Sequence, residues 1–415
     1  MKTNMDRKKD KLDFMSTCRS YLFTSESVTE GHPDKLADQI SDAVLDEALA
    51  RDDQSKVACE TLVSHNLIVI AGEISSKAHL DFFQIIRKVL EKVGYGSQET
   101  GFALSRCSLM LDLKQQSKEI ARAVEEKPGE ISIGRGKKEV ANDEIGAGDQ
   151  GLMFGYATDE TPELMPLPLM LAHRLVMKAD ELRHAQKISW LCPDGKSQVT
   201  VRYEGEKPVA IESVLLSLQH QPHIPSETLS QAIKQEIIEK VIPAELLSSK
   251  TEIIINPSGQ FTTGGPEADT GLTGRKIIVD TYGGACPHGG GCFSGKDPTK
   301  VDRSGAYAAR YIAKNIVAAR LAHRCTVQLS YAIGRSQPTS LTVNTHGTGN
   351  IPDREIEEAV RKIFPLTPGK IIDELKLQRP IYSLTSVYGH FGRNLPEFTW
   401  EYTDRMEALR SYLKK

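Results

Sequence analysis

The residues richest in chemistry lie in one run, GGACPHGGGCFSGKDPTKVDRSGAY, at positions 283–307. Glycines let a backbone approach an anion closely and present its N–H groups. Lys296, Lys300 and Arg303 add positive charge, and Asp297 and Asp302 are suited to hold a divalent cation. A backbone cradle interleaved with cations and carboxylates fits a polyphosphate better than a solvated turn. Positions 290–296 satisfy G-x-x-x-x-G-K, the core of the common nucleotide phosphate loop. Asp297 then stands where that loop needs Ser or Thr for magnesium, and Pro298 follows, so the match is a near miss.

Other runs carry related chemistry. In SESVTEGHPDKLADQISDA, positions 25–43, His32 and Asp34 flank Pro33 at a helix start, where phosphate is favoured. Asp34, Asp38, Asp42 and Asp46 recur every four residues. The last three read as a solvated helix face, whereas Asp34 reads equally well as a metal or phosphate residue. GAGDQG at 146–151 matches a dinucleotide fingerprint, but a polar loop precedes it and a strand-like run follows, the wrong context. Asp149 there is a candidate to bind a substrate amine. PDGKSQ, with Asp194 and Lys196, and NPSGQFTTGGPEADTGLTGRK, with Phe261, Asp269, Arg275 and Lys276, read as turns with unusual charge. Phe261 could stack on a purine or pack in the core. Glu60 and Glu73 sit in apolar strands, either facing solvent or held by cations. His220 and His223 carry no assigned role.

The elements that must position these groups repeat an order of helix, hairpin, helix. The first copy has a helix near 34–51, strands VACETLV and LIVIAGEI, and a helix near 77–93. The second has PLPLMLAHRLVMKADEL, strands SQVTVRYE and PVAIESVLLSL, and an amphipathic stretch at 226–241. The third has DRSGAYAARYIAKNIVAARLA, strands CTVQLSYAIG and TSLTVNT, and a helix near 352–364. KIIVD reads as a strand entering the glycine run. The expected fold is α+β: three similar domains, each a sheet with helices on one face. The expected divisions are a disordered extension at 1–20, domains at 21–118, 145–263 and 264–415, and between the first two a polar segment at 119–144, a linker or a lid.

Composition sets bounds. The 415 residues carry a formal charge of −3, which disfavours nucleic acid as a partner. Seven cysteines, odd in number and lacking C-x-x-C spacing, read as inert thiols in a reducing compartment. No apolar run is long enough to span a membrane, and the basic N-terminus lacks a secretory core. A cytoplasmic protein is expected.

Taken together, EGHPDKLADQISDAVLD, ACET, GAGDQGLMFGYATDET, PDGKSQVT, GGPEADTGLTGRKIIVDTYGG, HGGGCFSGKDPTKVDRSGAYAARYIAKNIVAA and YGHFGR resemble the S-adenosylmethionine synthetases, in order, from Tyr21 to about Trp400. The resemblance implies transfer of the adenosyl group of ATP to the sulfur of L-methionine, then hydrolysis of triphosphate to diphosphate and phosphate. It implies that His32, Lys196, Arg275 and Lys296 are catalytic and contact the triphosphate, with Asp194, Gln260, Phe261, Asp269, Lys276 and Cys292 also binding ATP. Glu73, Gln116, Asp149, Asp269 and Lys300 would surround methionine. Asp34 and Asp302 would ligate Mg²⁺, two ions per site, and Glu60 one K⁺. The segment after Gln116 would be a gate, and a homodimer or dimer of dimers would share each site. Gly195 and Cys292 stand where alanine is common in the family, Gly305 replaces another alanine, and Gln260 stands where arginine is common. Two other classes stay open on residues alone. A phosphate-loop NTPase would hydrolyse ATP without methionine, and a non-catalytic relative would have lost charged residues.

Overall fold

Among the described residues every long strand pairs in one of three separate sheets, and each sheet borrows a strand from a distant part of the chain. The computed structural model describes residues 20–96, 101–115 and 146–414. In chain order the elements are β1 (Ser20–Val28), α1 (Pro33–Arg51), β2 (Lys56–Ser64), β3 (Leu67–Ser75), α2 (Phe82–Val93), β4 (Ser108–Lys114), β5 (Gly151–Thr158) and α3 (Leu167–His184). There follow β6 (Leu191–Glu204), β7 (Lys207–His220), α4 (Ser226–Ile233), β8 (Glu252–Ile255), β9 (Gly271–Leu272) and α5 (Ile277–Asp280). The last are α6 (Val301–Ala318), β10 (Arg324–Tyr331), β11 (Ser340–Asn344), α7 (Asp353–Ile363), α8 (Pro368–Glu374) and α9 (Met406–Leu413). Gln116 and the segment 119–144 lie outside the described residues, as does the extension up to residue 19.

The sheets run β1-β6-β7-β8, β11-β10-β5 and β4-β3-β2-β9. The β2–β3 hairpin is local, with Ser64 opposite Leu67. By contrast β1 crosses to β6, pairing Ser20 with Glu204 and Val28 with Lys196. In the same way β5 joins β10, and β9 joins β2 at Leu62 and Val63. The architecture is thus three α+β units, as the element order predicts, tied together by exchanged strands. One apolar cluster fills the unit of β6 and β7 with α3 and α4, and a second runs continuously beneath the other two sheets.

Helix α1 lies at the junction. Leu36, Ile40, Val44 and Leu45 are wholly buried, each contributing about 1.5–3 kcal/mol relative to exposure. Several local expectations need correction. PDGKSQ is no turn but the start of β6. KIIVD is no strand: 277–280 form one helical turn, closed by Asp280 N–H on Lys276 O at 2.8 Å. Here burial of Val279 and Asp280 overrides the β-branched propensity. Helix α2 begins at Phe82 rather than 77, capped by Asp81, whose carboxylate accepts from Gln84 N–H at 3.1 Å.

Candidate active site

The site is assembled on the edge of β2 that faces away from β3. Two loops dock there in turn. Thr273 N–H donates to Thr61 O at 3.0 Å just beyond β9, Cys59 N–H donates to Gly295 O at 3.0 Å, and Asp297 N–H donates to Val57 O at 3.0 Å. The first loop carries Asp269, Arg275 and Lys276, and the second Cys292, Lys296 and Lys300. The second approach demands glycine. Gly295 has φ +80°, and a Cβ there would meet Cys59 O at 1.8 Å.

Asp38, Asp42 and Asp46 do not form a solvated face, contrary to expectation. Asp34 accepts from Leu272 N–H at 3.0 Å, and Asp38 from Gly274 N–H at 2.9 Å. Asp42 accepts from Gly295 N–H at 2.8 Å, and Asp46 from Tyr382 and Ser383 N–H at 2.9 and 2.7 Å. Asp38 and Asp42 are 0% exposed. Lys35 ties Asp38 at 2.8 Å to Asp280 at 2.6 Å, all three buried. Burial, with the second carboxylate of Asp280 nearby, pushes the Asp38 carboxyl up to about 7 even beside that ammonium.

His32 caps α1, its Nδ1 accepting from Asp34 N–H at 3.2 Å. That bond leaves the proton on Nε2, free to donate to an anion. Burial, then the positive charge of Lys276, pushes its pKa down to about 3, so the ring is neutral near pH 7. Lys196, exposed on β6, contributes to the same effect and so stands near His32. Lys276 reaches the Asp34 carboxylate at 2.5 Å. Burial works to raise the pKa of Asp34, but this ammonium and Leu272 N–H outweigh it and hold it low. Asp194 is buried and accepts from Gly265 N–H at 2.8 Å, its pKa raised to about 6 by burial. Phe261 is half-buried, its backbone bonded in both directions to His220: N–H to Nε2 at 3.1 Å, and O from His220 N–H at 2.9 Å. Gln260, Asp269 and Arg275 are exposed along this side.

The second cluster centres on Lys296, whose Nζ lies 2.5 Å from Asp302 Oδ2. Burial disfavours the lysine's charge, but Cys292, Asp302 and Glu60 together raise its pKa. Glu60, exposed on β2, therefore faces this cation. Lys300 pairs with Asp297 at 2.6 Å. Gly291 presses so closely on Asp302 that a Cβ would meet its carboxyl carbon at 2.4 Å, and one on Gly151 would lie 3.2 Å from its Oδ1. Asp149, exposed, lies two residues before Gly151, its carboxylate accepting from Gln150 N–H at 2.7 Å. The two clusters touch at Gly274, where an added Cβ would lie 2.4 Å from Cys292 Cβ. Glu73 sits instead at the end of β3, 3.6 Å from Lys114 Nζ.

Among the described residues, no three His, Cys, Asp or Glu side chains form a metal cage. Asp34 and Asp302 each offer one carboxylate. That suits Mg²⁺, which keeps waters and substrate phosphates as its other ligands. Sequence reasoning missed Lys35, Asp38, Asp42 and His220 as supporting residues, and it misplaced two others: Arg303 and Asp297 are 0% exposed, Arg303 bound to Asp42 and Asp297 to Val57 N–H and Lys300, so neither offers its charge to a phosphate or a metal. A signal did exist for the α1 group, because Ala37, Ser41, Leu45 and Leu49 leave that helix with no continuous polar face.

The chain matches family models along most of its length. Residues 20–118 match the S-adenosylmethionine synthetase N-terminal domain, 144–261 the central domain and 263–402 the C-terminal domain. It is 55% identical over 394 residues to the S-adenosylmethionine synthase of Thermus thermophilus, covering 94% of this chain and 98% of that one. The same protein from a second strain of that organism matches equally.

Proposed function

The chain belongs to the S-adenosylmethionine synthetase family, and from that membership we propose how its residues carry the reaction. The enzyme is a methionine adenosyltransferase. It transfers the adenosyl group of ATP to the sulfur of L-methionine and hydrolyses the triphosphate to diphosphate and phosphate. The family is metal-dependent, and ATP and methionine are its substrates.

Methionine's thioether is neutral and becomes a sulfonium on attacking C5′ of the ribose, so no proton need be removed. A neutral His32 agrees with that requirement. The demanding part is the departing triphosphate, whose charge must be met as it develops. Lys196, Arg275, Lys276 and Lys296 bind its oxygens, and His32 Nε2–H donates to it. Each such donor contributes about 3–4 kcal/mol to lowering the barrier. Asp34 and Asp302 would hold Mg²⁺, which when bound neutralises phosphate charge; the lysines now paired with them turn to the phosphates instead. Asp194, Gln260, Phe261, Asp269 and Cys292 frame the nucleotide. Glu73, Gln116, Asp149 and Lys300 take the amino acid, aligning sulfur with carbon. The supporting observation is that Lys276 and Lys296, on two loops docked along a single strand edge, each pair with a carboxylate at a helix start, Asp34 on α1 and Asp302 on α6.

A second copy completes the site in this reading. The outer face of the β2–β3–β4 sheet presents Ala58, Leu62, Val69, Ala71 and Met110, with Met110 57% exposed. Glu60 and Glu73 project from that same face. A homodimer pairing these faces would bury the apolar patch and bring both glutamates to the seam. Glu60 alone is one ligand rather than a K⁺ cage, so the remaining oxygens would come from across the seam. The stretches 21–118, 145–263 and 264–415 serve as the three domains, each lending one strand and borrowing another. No described helix is long and apolar enough to cross a membrane, and a cytoplasmic location fits the substrates.

The test is purified protein with ATP, Mg²⁺, K⁺ and methionine, scored for adenosylmethionine, diphosphate and phosphate. Methionine-dependent formation of all three is expected. Methionine-independent release of ADP would contradict the reading.

A further inference from the structure

We infer that the buried Asp42–Arg303 pair is the positioning device for Lys296, holding the glycine loop so that this lysine meets Asp302. The inference rests on the proposed role of Lys296 at the triphosphate.

The loop's backbone converges on this one pair. Arg303 Nη1 donates to Phe293 O at 2.9 Å, to Lys296 O at 3.1 Å and to Asp42 Oδ1 at 2.7 Å. Its Nη2 donates to Asp42 Oδ2 at 3.0 Å and to Thr385 Oγ1 at 2.8 Å, and its Nε to the Tyr307 hydroxyl at 3.1 Å. Asp42 Oδ1 also accepts from Gly295 N–H at 2.8 Å. Three loop groups within four residues thus end on one ion pair that is 0% exposed at both residues. The guanidinium carbon lies over the Tyr382 ring, 4.1 Å from its centroid.

A buried ion pair is a weak device for stability alone, because desolvation offsets much of its attraction. Its value here lies in geometry. A run with glycines at 289, 290, 291 and 295 has wide backbone freedom, and something must select one conformation. Arg303 also follows Asp302 directly. Lys296 is therefore gripped twice by consecutive residues: its ammonium by Asp302 in front, its carbonyl by Arg303 behind. Asp38 does similar service one turn earlier on α1, holding Gly274 N–H just before Arg275.

Arg303→Lys tests the inference, because lysine keeps the charge and loses the planar fork. We expect kcat to fall roughly 10- to 100-fold, the scale of a small misplacement, while KM for methionine stays within about twofold. In a Lys296→Met background, Arg303→Lys should change kcat by no more than about twofold, since both act through one group. A wild-type kcat in Arg303→Lys, or losses that multiply in the double variant, would overturn the inference alone. An unchanged kcat in Lys296→Met would overturn the assignment of Lys296 and the inference with it. If Arg303→Lys does not fold, Asp42→Asn takes its place with the same expectations. Failure of both to fold would reduce the pair to a structural role and refute the proposal.

Discussion

The Lys296 ammonium lies 2.5 Å from the Asp302 carboxylate. A cation suited to a leaving group and a carboxylate suited to a metal neutralise each other in this pair. Lys276, on the other loop, and Asp34, on α1, repeat the arrangement at 2.5 Å.

Lys296→Met should fold normally and lose turnover by roughly 100-fold or more, the effect of removing one preorganised donor. Steady-state kcat with thermal melting checks both halves. An unchanged kcat would remove Lys296 from the leaving-group set.

Asp302→Asn should raise the Mg²⁺ concentration for half-maximal rate by roughly tenfold or more, the scale on which changes around a metal site act. Titration of Mg²⁺ at saturating ATP reads this directly. An unaltered curve would show that Asp302 is no ligand.

His32→Asn should preserve the helix cap, since asparagine caps as well as any residue, while losing the Nε2–H donor. Tm should barely change and kcat should drop roughly 100-fold. Because burial and Lys276 hold the wild-type ring neutral, with a pKa near 3, its NMR signals should show no titration above about pH 5. A midpoint near that of free histidine would contradict the buried, neutral cap.

How much of this is legible in sequence depends on range. The glycine run at 283–307 and the His32–Pro33–Asp34 start are local, so residue type and spacing mark them as candidates, but not which charges are spent inside: Arg303 goes to Asp42 and Asp297 to Val57 N–H, both distant in the chain. The role of the α1 aspartates is not local: Asp42 meets Arg303 across 261 positions, and Asp46 meets Ser383 across 337. A four-residue acidic repeat looks the same whether its partners are water or backbone N–H groups. The strand exchange is hidden for a similar reason. β1 pairs with β6 some way along the chain, and its alternation carries no mark of which sheet receives it. KIIVD misleads because packing of Val279 and the Asp280–Lys35 pair decide its conformation.

Stability should carry the signature of His173, buried with its pKa pushed down to about 3 by burial and then by Arg393 and Lys35. The unfolded chain protonates this ring near 6.5. Between those values the unfolded state binds the extra proton, so the contribution is full above 6.5 and shrinks as pH falls. The slope approaches about 1.4 kcal/mol per pH unit. Relative to wild type, His173→Gln should lose about one proton's worth of that slope between about pH 6 and pH 4. Urea unfolding across the window measures it, and parallel slopes would refute a neutral, buried His173.

The most direct test of the account is a crystal structure with a non-hydrolysable ATP analogue and methionine. Lys196, Arg275, Lys276 and Lys296 are expected around a single triphosphate, with Asp34 and Asp302 on its metal ions and two copies of the chain framing each site. These side chains turned toward separate surfaces, with the triphosphate bound elsewhere, would contradict it.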